Sequence, residues 1–204
     1  MTALFVCASL IVMPAFSPAG EPQANQVKGS MVAYPWAFTN GTDTARETAV
    51  KAVQEVFQKA NYSILPQGAA ERAWKSLQLP TAQPMIFPNQ SQLQRFARAM
   101  EADFVAFGSV NWHTRSIWVG MGPKTISTAT VDLYVYDRKA NRVVYTKEGV
   151  EGRSDEQDTA LRVLAPLLIS PFIAPFTGGP ATPREQRAVQ IAVARAAQGF
   201  VGKK

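Results

Sequence analysis

One switch of hydrophobic period constrains this chain more than any other feature. Before residue 101, Leu93, Phe96, Ala97 and Met100 recur at helical spacing. From Phe104 the run FVAFGSV is almost continuously apolar, as a strand buried on both faces requires. From Ser127 the run STATVDLYVYD alternates. Ala129, Val131, Leu133 and Val135 face one way; Thr128, Thr130, Asp132, Tyr134 and Tyr136 face the other. The polar stretch DRKANR then reads as a hairpin turn, and VVYTKEGVEG as the returning strand. Residues 104–150 therefore predict an antiparallel meander of three strands, with GMGPKT, 120–125, as the first turn.

The rest of the chain interleaves helices and strands around that meander. MVAYPWAF, 31–38, is strand-like, and Pro35 demands an edge position or a bulge. Thr44 and Glu47 match a capping box. Ala45, Ala49, Val53, Val56, Phe57 and Ala60 then share a helix face. YSIL, 62–65, is a short strand ended by Pro66. AAERAWKSLQ is a second helix, with Ala70, Ala73, Trp74 and Leu77 aligned. Ser91 and Gln94 match another capping box for a third. A helix is predicted over Thr159–Leu168. A proline-broken apolar stretch follows, which cannot continue it. The last helix opens at Thr182, with Pro183 first and Glu185 completing a capping box. Ala188, Val189, Ala192, Val193, Ala196 and Phe200 form its packed face. The expected fold class is α/β (α+β), a mixed, mainly antiparallel sheet with helices packed on it. The expected boundaries are 1–19 as signal peptide or anchor, 20–29 as a flexible lead-in and 30–201 as one domain.

Composition supports a folded domain. The chain has 204 residues, 47% hydrophobic and only 18% charged, enough for a real core and unlike a disordered segment. Its formal charge of +6 favours anionic partners such as lipid head groups, wall polymers or nucleic acid. The opening MTALFVCASLIVMPAFSPAG resembles the apolar part of a secretory signal, with Ser17-Pro18-Ala19 as a small-residue cleavage site, although no Lys or Arg precedes it. Export is therefore expected, to the periplasm or cell envelope. Cys7 is the one cysteine. Phe5 and Val6 stand where a lipidation signal wants small residues, so lipidation is not expected. Removal of the signal would leave no cysteine, and with it no disulfide or thiol chemistry.

No catalytic constellation stands out. Glu101 and Asp103 are neighbours at a helix-to-strand junction, where carboxylates stay solvated and rarely converge on a substrate. His113 is the only histidine, too few for a transition-metal site, and the chain has no GxSxG elbow. GMGPKT fails as a phosphate loop: the Walker spacing is absent and a strand, not a helix, follows. No cofactor is expected. A hydrolase using Glu101, Asp103 and His113 is one alternative. A basic nucleic-acid module is another, in which Trp112, Trp118, Tyr134 and Tyr136 stack bases. Lys and Arg do not cluster beside those aromatics, which disfavours it. The expected contact surfaces are the hairpin Trp118–Thr125, with Trp118, Met121 and Lys124, and the apolar loop Leu167–Phe176. Ile169, Phe172, Ile173 and Phe176 of that loop suit a partner or a peripheral membrane contact.

The middle motif, Ala102, Asp103, Phe104, Val105, Ala106, Phe107, Gly108 and Val110, precedes a strand ending Leu133, Val135, Asp137, Asn141, Val143 and Val144. Together with the element order, this resembles the cell-envelope domain shared by the curli secretion lipoprotein family, the TolB amino-terminal domain and the penicillin-binding-protein activator lipoproteins. Asn141 stands where the family pattern has glycine, and asparagine tolerates the same left-handed backbone. The resemblance implies a non-catalytic scaffold that binds other envelope proteins or self-associates. It implies no catalytic residue. The hairpin around Gly120 and Gly122 is too short to supply membrane-spanning strands, so no pore is expected.

Overall fold

The computed structural model describes residues 27–80, 86–118, 120, 122–155 and 184–202. Five strands and four helices follow one another as β1 (Gly29–Thr39), α1 (Asp43–Lys59), β2 (Tyr62–Ile64), α2 (Gln67–Ser76), α3 (Gln90–Ala99), β3 (Phe104–Trp118), β4 (Pro123–Asp137), β5 (Arg142–Arg153) and α4 (Arg184–Val201). The strands form one mixed sheet in the order β2-β1-β3-β4-β5. β1 pairs parallel to β2 and β3, while the longer β3–β4 and β4–β5 ladders are antiparallel. The expected fold class and meander are both present. The expected helix over Thr159–Leu168 lies outside the described residues, as do the N-terminal segment and the lead-in up to Gln26.

Helices cover both faces of the sheet. On one face, α1 and α4 pack over Met31, Ala33, Trp36, Ala106, Val110, Trp112, Ala129, Val131, Leu133 and Val135. On the other, Trp74 of α2 and Leu93 and Phe96 of α3 pack over Val32, Val105, Phe107 and Tyr136. The alternation in β4 is therefore two-sided. Tyr136, expected on a polar face, is fully buried against α3. Its hydroxyl is satisfied by the Asn141 Oδ1 at 2.6 Å, which removes the cost of burying it.

Pro35 has a local solution. β1 is not an edge strand, since it lies between β2 and β3. The pairing with β3 instead shifts by one residue between Ala33 and Trp36, the bulge alternative. Without that extra residue, Met31 and Ala33 would face α1 and α4 while Trp36 and Phe38 faced away. With it, all four share one cluster.

Two glycines set how closely elements approach. A Cβ on Gly108 would lie 1.9 Å from the Asp132 carbonyl oxygen of the neighbouring strand. The backbone of β4 thus comes within contact distance of this position. A Cβ on Gly152 would lie 2.3 Å from the Ala188 carbonyl and 2.5 Å from the Ala192 nitrogen of α4. Ala188, Ala192 and Ala196, one turn apart, give α4 a flat face that settles directly on β4 and β5.

Two capping boxes are corrected. α1 is capped by Thr42, whose Oγ1 accepts from the Ala45 amide at 3.2 Å. Thr44 sits inside the first turn. α3 is capped by Asn89, which accepts from the Gln92 amide while Gln92 Oε1 accepts from the Asn89 amide. At α3 the spacing occurs twice, as Asn89 to Gln92 and Ser91 to Gln94, whereas at α1 Thr42 caps without a Glu or Gln partner; both true helix starts lie two residues earlier than read. Asn141 has φ 50°, the left-handed conformation expected of it.

Candidate functional site

The β3–β4 hairpin is built in two parts. Each strand has 15 residues, paired without interruption from Phe104–Asp137 to Trp118–Pro123, so the ribbon is about 50 Å long. Helix packing reaches Trp112 and Ala129 on one face and only Phe107 and Tyr134 on the other. Past Trp112 the ribbon continues as an arm. Its residues His113–Ser116, Trp118 and Lys124 are exposed.

The arm has two chemically different faces. In the alternation of β3, Thr114, Ser116 and Trp118 project on the side of Trp112. Opposite them, Thr114 and Ser127 hydroxyls meet at 3.0 Å, and Ser116 and Thr125 hydroxyls at 3.3 Å. Trp118 ends this uncharged ladder with 75% of its surface exposed. The opposite side carries His113, Arg115, Ile117 and Lys124, together with Ile126, which is fully buried opposite Arg115. Gly120 (φ 74°) and Gly122 (φ 143°) close the turn in conformations that disfavour a side chain.

The arm is tied down at its root by the end of β5. Ser154 N donates to the Ser127 carbonyl at 2.9 Å, and Ser127 N donates to Ser154 Oγ at 3.0 Å. Asp155 then accepts two hydrogen bonds from Arg153, at 3.2 and 3.1 Å, and lies 3.7 Å from the Lys124 ammonium. Burial pushes the Asp155 carboxyl up, but the Arg153 hydrogen bonds and charge, helped by Lys124, outweigh it and hold it below the usual carboxylate range. Sequence reading missed this latch. It joins residues 31 positions apart, and neither periodicity nor motif marks such a contact.

The proposed catalytic trio does not converge. Asp103 precedes β3 and His113 lies ten residues along it, roughly 30 Å away on an extended strand. Asp103 is also not merely solvated, as expected of a junction. Its Oδ2 accepts from the Ser30 amide at 2.9 Å and the Ser30 hydroxyl at 3.0 Å, and its Oδ1 accepts from Arg138 at 3.0 Å. The Ser30 amide, against some desolvation and with help from the Ser30 hydroxyl and Arg138, holds this carboxyl below its usual range. Asp103 therefore clamps β1, β3 and the β4–β5 turn together. Glu101 takes φ 51° and offers its carbonyl to Ser30 Oγ. His113 is exposed beside Thr128.

The base-stacking platform also fails. Trp112 is 2% exposed, donates to the Glu185 carbonyl at 3.2 Å and packs against Phe38. Tyr136 is buried on the opposite face, and Tyr134 stacks on Phe107 while donating to Glu148. Of the four aromatics, Trp118 alone is free to meet a partner. Lys124 is exposed beside it in the hairpin. Met121 lies outside the described residues, as do Ile169, Phe172, Ile173 and Phe176. Among the described residues no group of His, Cys, Asp and Glu could hold a metal ion, and no helix is long and apolar enough to cross a membrane.

No family model matches the chain, and no curated protein matches it. Solved structures do. The lipoprotein GNA1162 from Neisseria meningitidis is 12% identical, with 72% of this chain and 98% of that one covered and a TM-score of 0.46. The C-terminal domain of LpoB from Escherichia coli is 14% identical, over 65% of this chain and 88% of that one, with a TM-score of 0.40. A PelC dodecamer from Paraburkholderia phytofirmans is 11% identical, over 82% and 83%, with a TM-score of 0.37.

Proposed function

We propose that the protein is a non-catalytic, exported scaffold of the cell envelope that works by binding other envelope proteins or further copies of itself. The observation that carries this reading is the arm. The paired ribbon extends beyond its cover by the described helices and ends in an exposed Trp118, and aromatic anchors are enriched at the centres of protein contacts. The resemblance of the Asp103–Val110 motif to envelope domains supports it, as does the N-terminal apolar segment. Lys124 and the loop Leu167–Phe176 are proposed as further parts of the contact, the loop also as a peripheral membrane contact. The sequence around Cys7 argues for a chain that is exported without a lipid.

Site-specific photo-crosslinking tests the reading. A crosslinking amino acid at Trp118 should capture a discrete envelope protein or a second copy. The same group at Lys51, on the exposed side of α1, should not. Equal capture at both positions, with a monomer in size-exclusion light scattering, would remove the arm as the contact.

A further inference from the structure

The arm carries charge of one sign. From Phe104 to Val131 the ribbon has His113, Arg115 and Lys124 and no Asp or Glu. Lys124 lies one residue pair from Trp118 and Pro123, and Arg115 lies three residues from Trp118, about 10 Å along the strand. These groups are open to solvent. Trp118 is 75% exposed, the Lys124 side chain 48%, and Arg115 is exposed. The carboxylate latched to this part of the ribbon, Asp155, is already shared between Arg153 and Lys124. Among the described residues Arg115 has no hydrogen-bond or ion-pair partner, so its five N–H donors are left to water or to another molecule.

The placement of these charges narrows what can meet them. Arg115 and Lys124 project opposite Trp118 and the hydroxyl pairs, so a flat surface can meet one side of the ribbon only. A cleft that takes the arm between two walls meets both. A contact between the arms of two copies would set Arg115 and Lys124 against their counterparts, in a chain that is +6 overall, and like charges oppose it. Anionic lipid surfaces are held by clusters of about four to eight Lys and Arg, more than the arm has. Two separated cations instead suit carboxylates at fixed places, Arg115 as a bidentate fork and Lys124 as a point charge.

We infer that the arm enters a cleft of a different protein, with carboxylates on the wall that faces Arg115 and Lys124 and an uncharged wall that faces Trp118 and the hydroxyl pairs. This rests on the arm being the contact and adds the partner's chemistry to it. Trp118 is the buried anchor, and the charges set its orientation and the rate of encounter.

The test repeats the crosslinking at position 118 with the full chain in envelope extract, with a second change added. Arg115→Glu should lower capture about tenfold. Raising NaCl from about 50 to about 500 mM should lower it in the same direction. Arg115→Gln, with a loss of about threefold, serves if the reversal folds poorly. Lys51→Glu, the same change of net charge on α1, should leave capture within about twofold. Sequenced by mass spectrometry, the captured peptide should carry Asp or Glu beside the attachment point. Capture indifferent to both changes at Arg115, equal loss with Lys51→Glu, or a second copy as the captured chain would overturn the inference and leave the arm as a contact. Co-sedimentation with phosphatidylglycerol vesicles that is lost in Arg115→Glu would overturn it in favour of lipid. No capture at position 118 would remove the contact itself, and the inference with it.

Discussion

The sandwiched half of the β3–β4 ribbon and its projecting arm obey the same pairing and differ in everything else. In the sandwiched half, Val105, Phe107, Leu133 and Val135 are buried between helices on two faces. In the arm, Thr114, Arg115, Ser116 and Trp118 are exposed while Ile126 and Ser127 stay buried, and hydroxyl pairs and the Arg153–Asp155–Lys124 latch add order. The difference teaches where stability and function are separable. Packing in the first region carries the fold, and the second is proposed to carry the side chains that meet a partner.

That contrast can be broken most severely at a glycine. Gly152→Val puts a branched side chain into the backbone of α4, and should cost about 3 kcal/mol or more, read as loss of the cooperative thermal transition. The same change at Gly120, whose Cβ would meet nothing within 4 Å, should cost far less, limited to its backbone conformation.

Truncations sharpen the comparison next. Leu133→Ala, 1% exposed, should destabilise by about 2–5 kcal/mol. Trp118→Ala in the arm should stay within about 0.5 kcal/mol in urea denaturation. Equal losses would mean that the arm is part of the core.

Acid should act on both regions through one clamp in each. Asp103 and Asp155 both have folded-state values below their unfolded ones. The unfolded chain therefore binds more protons, and stability rises with pH across their titration. Their contribution is complete above the unfolded value of about 3.9 and is lost as pH falls through the depressed folded values. Glu55, raised by burial, works in the opposite sense. Asp155→Asn and Asp103→Asn should each flatten the acid limb of stability against pH. Asp155 should do so more, because its side chain is 18% exposed against 46% for Asp103.

The smallest effect on the fold is expected in the apolar loop. Ile169, Phe172 and Ile173 changed together to Ser should leave circular dichroism unchanged and reduce assembly or vesicle binding. If neither changes, the loop is not a contact.

Local chemistry made much of this legible in the sequence. The period switch at Asp103, the alternation of β4 and the turn at Asn141 are each set by neighbours along the chain. Helix starts were displaced by two residues because another capping residue, Thr42 or Asn89, precedes each one read from the sequence. Of the candidate site, Trp118 and Lys124 were readable as residues of an apolar-flanked turn, but the arm's two faces and its latch were not.

By itself, then, the sequence determined which segments are helix or strand, since periodicity and turn residues act over a few positions. It also determined the absence of a nucleophile motif or phosphate loop. Only the tertiary structure decided that β1 lies inside the sheet, that Tyr136 and Trp112 are core, and that Asp103 is a clamp between strands. The reason is physical. These outcomes depend on which surfaces meet across tens of residues, as for Ser30 with Asp103 and Trp112 with Glu185, each 73 apart, and no local pattern encodes that meeting.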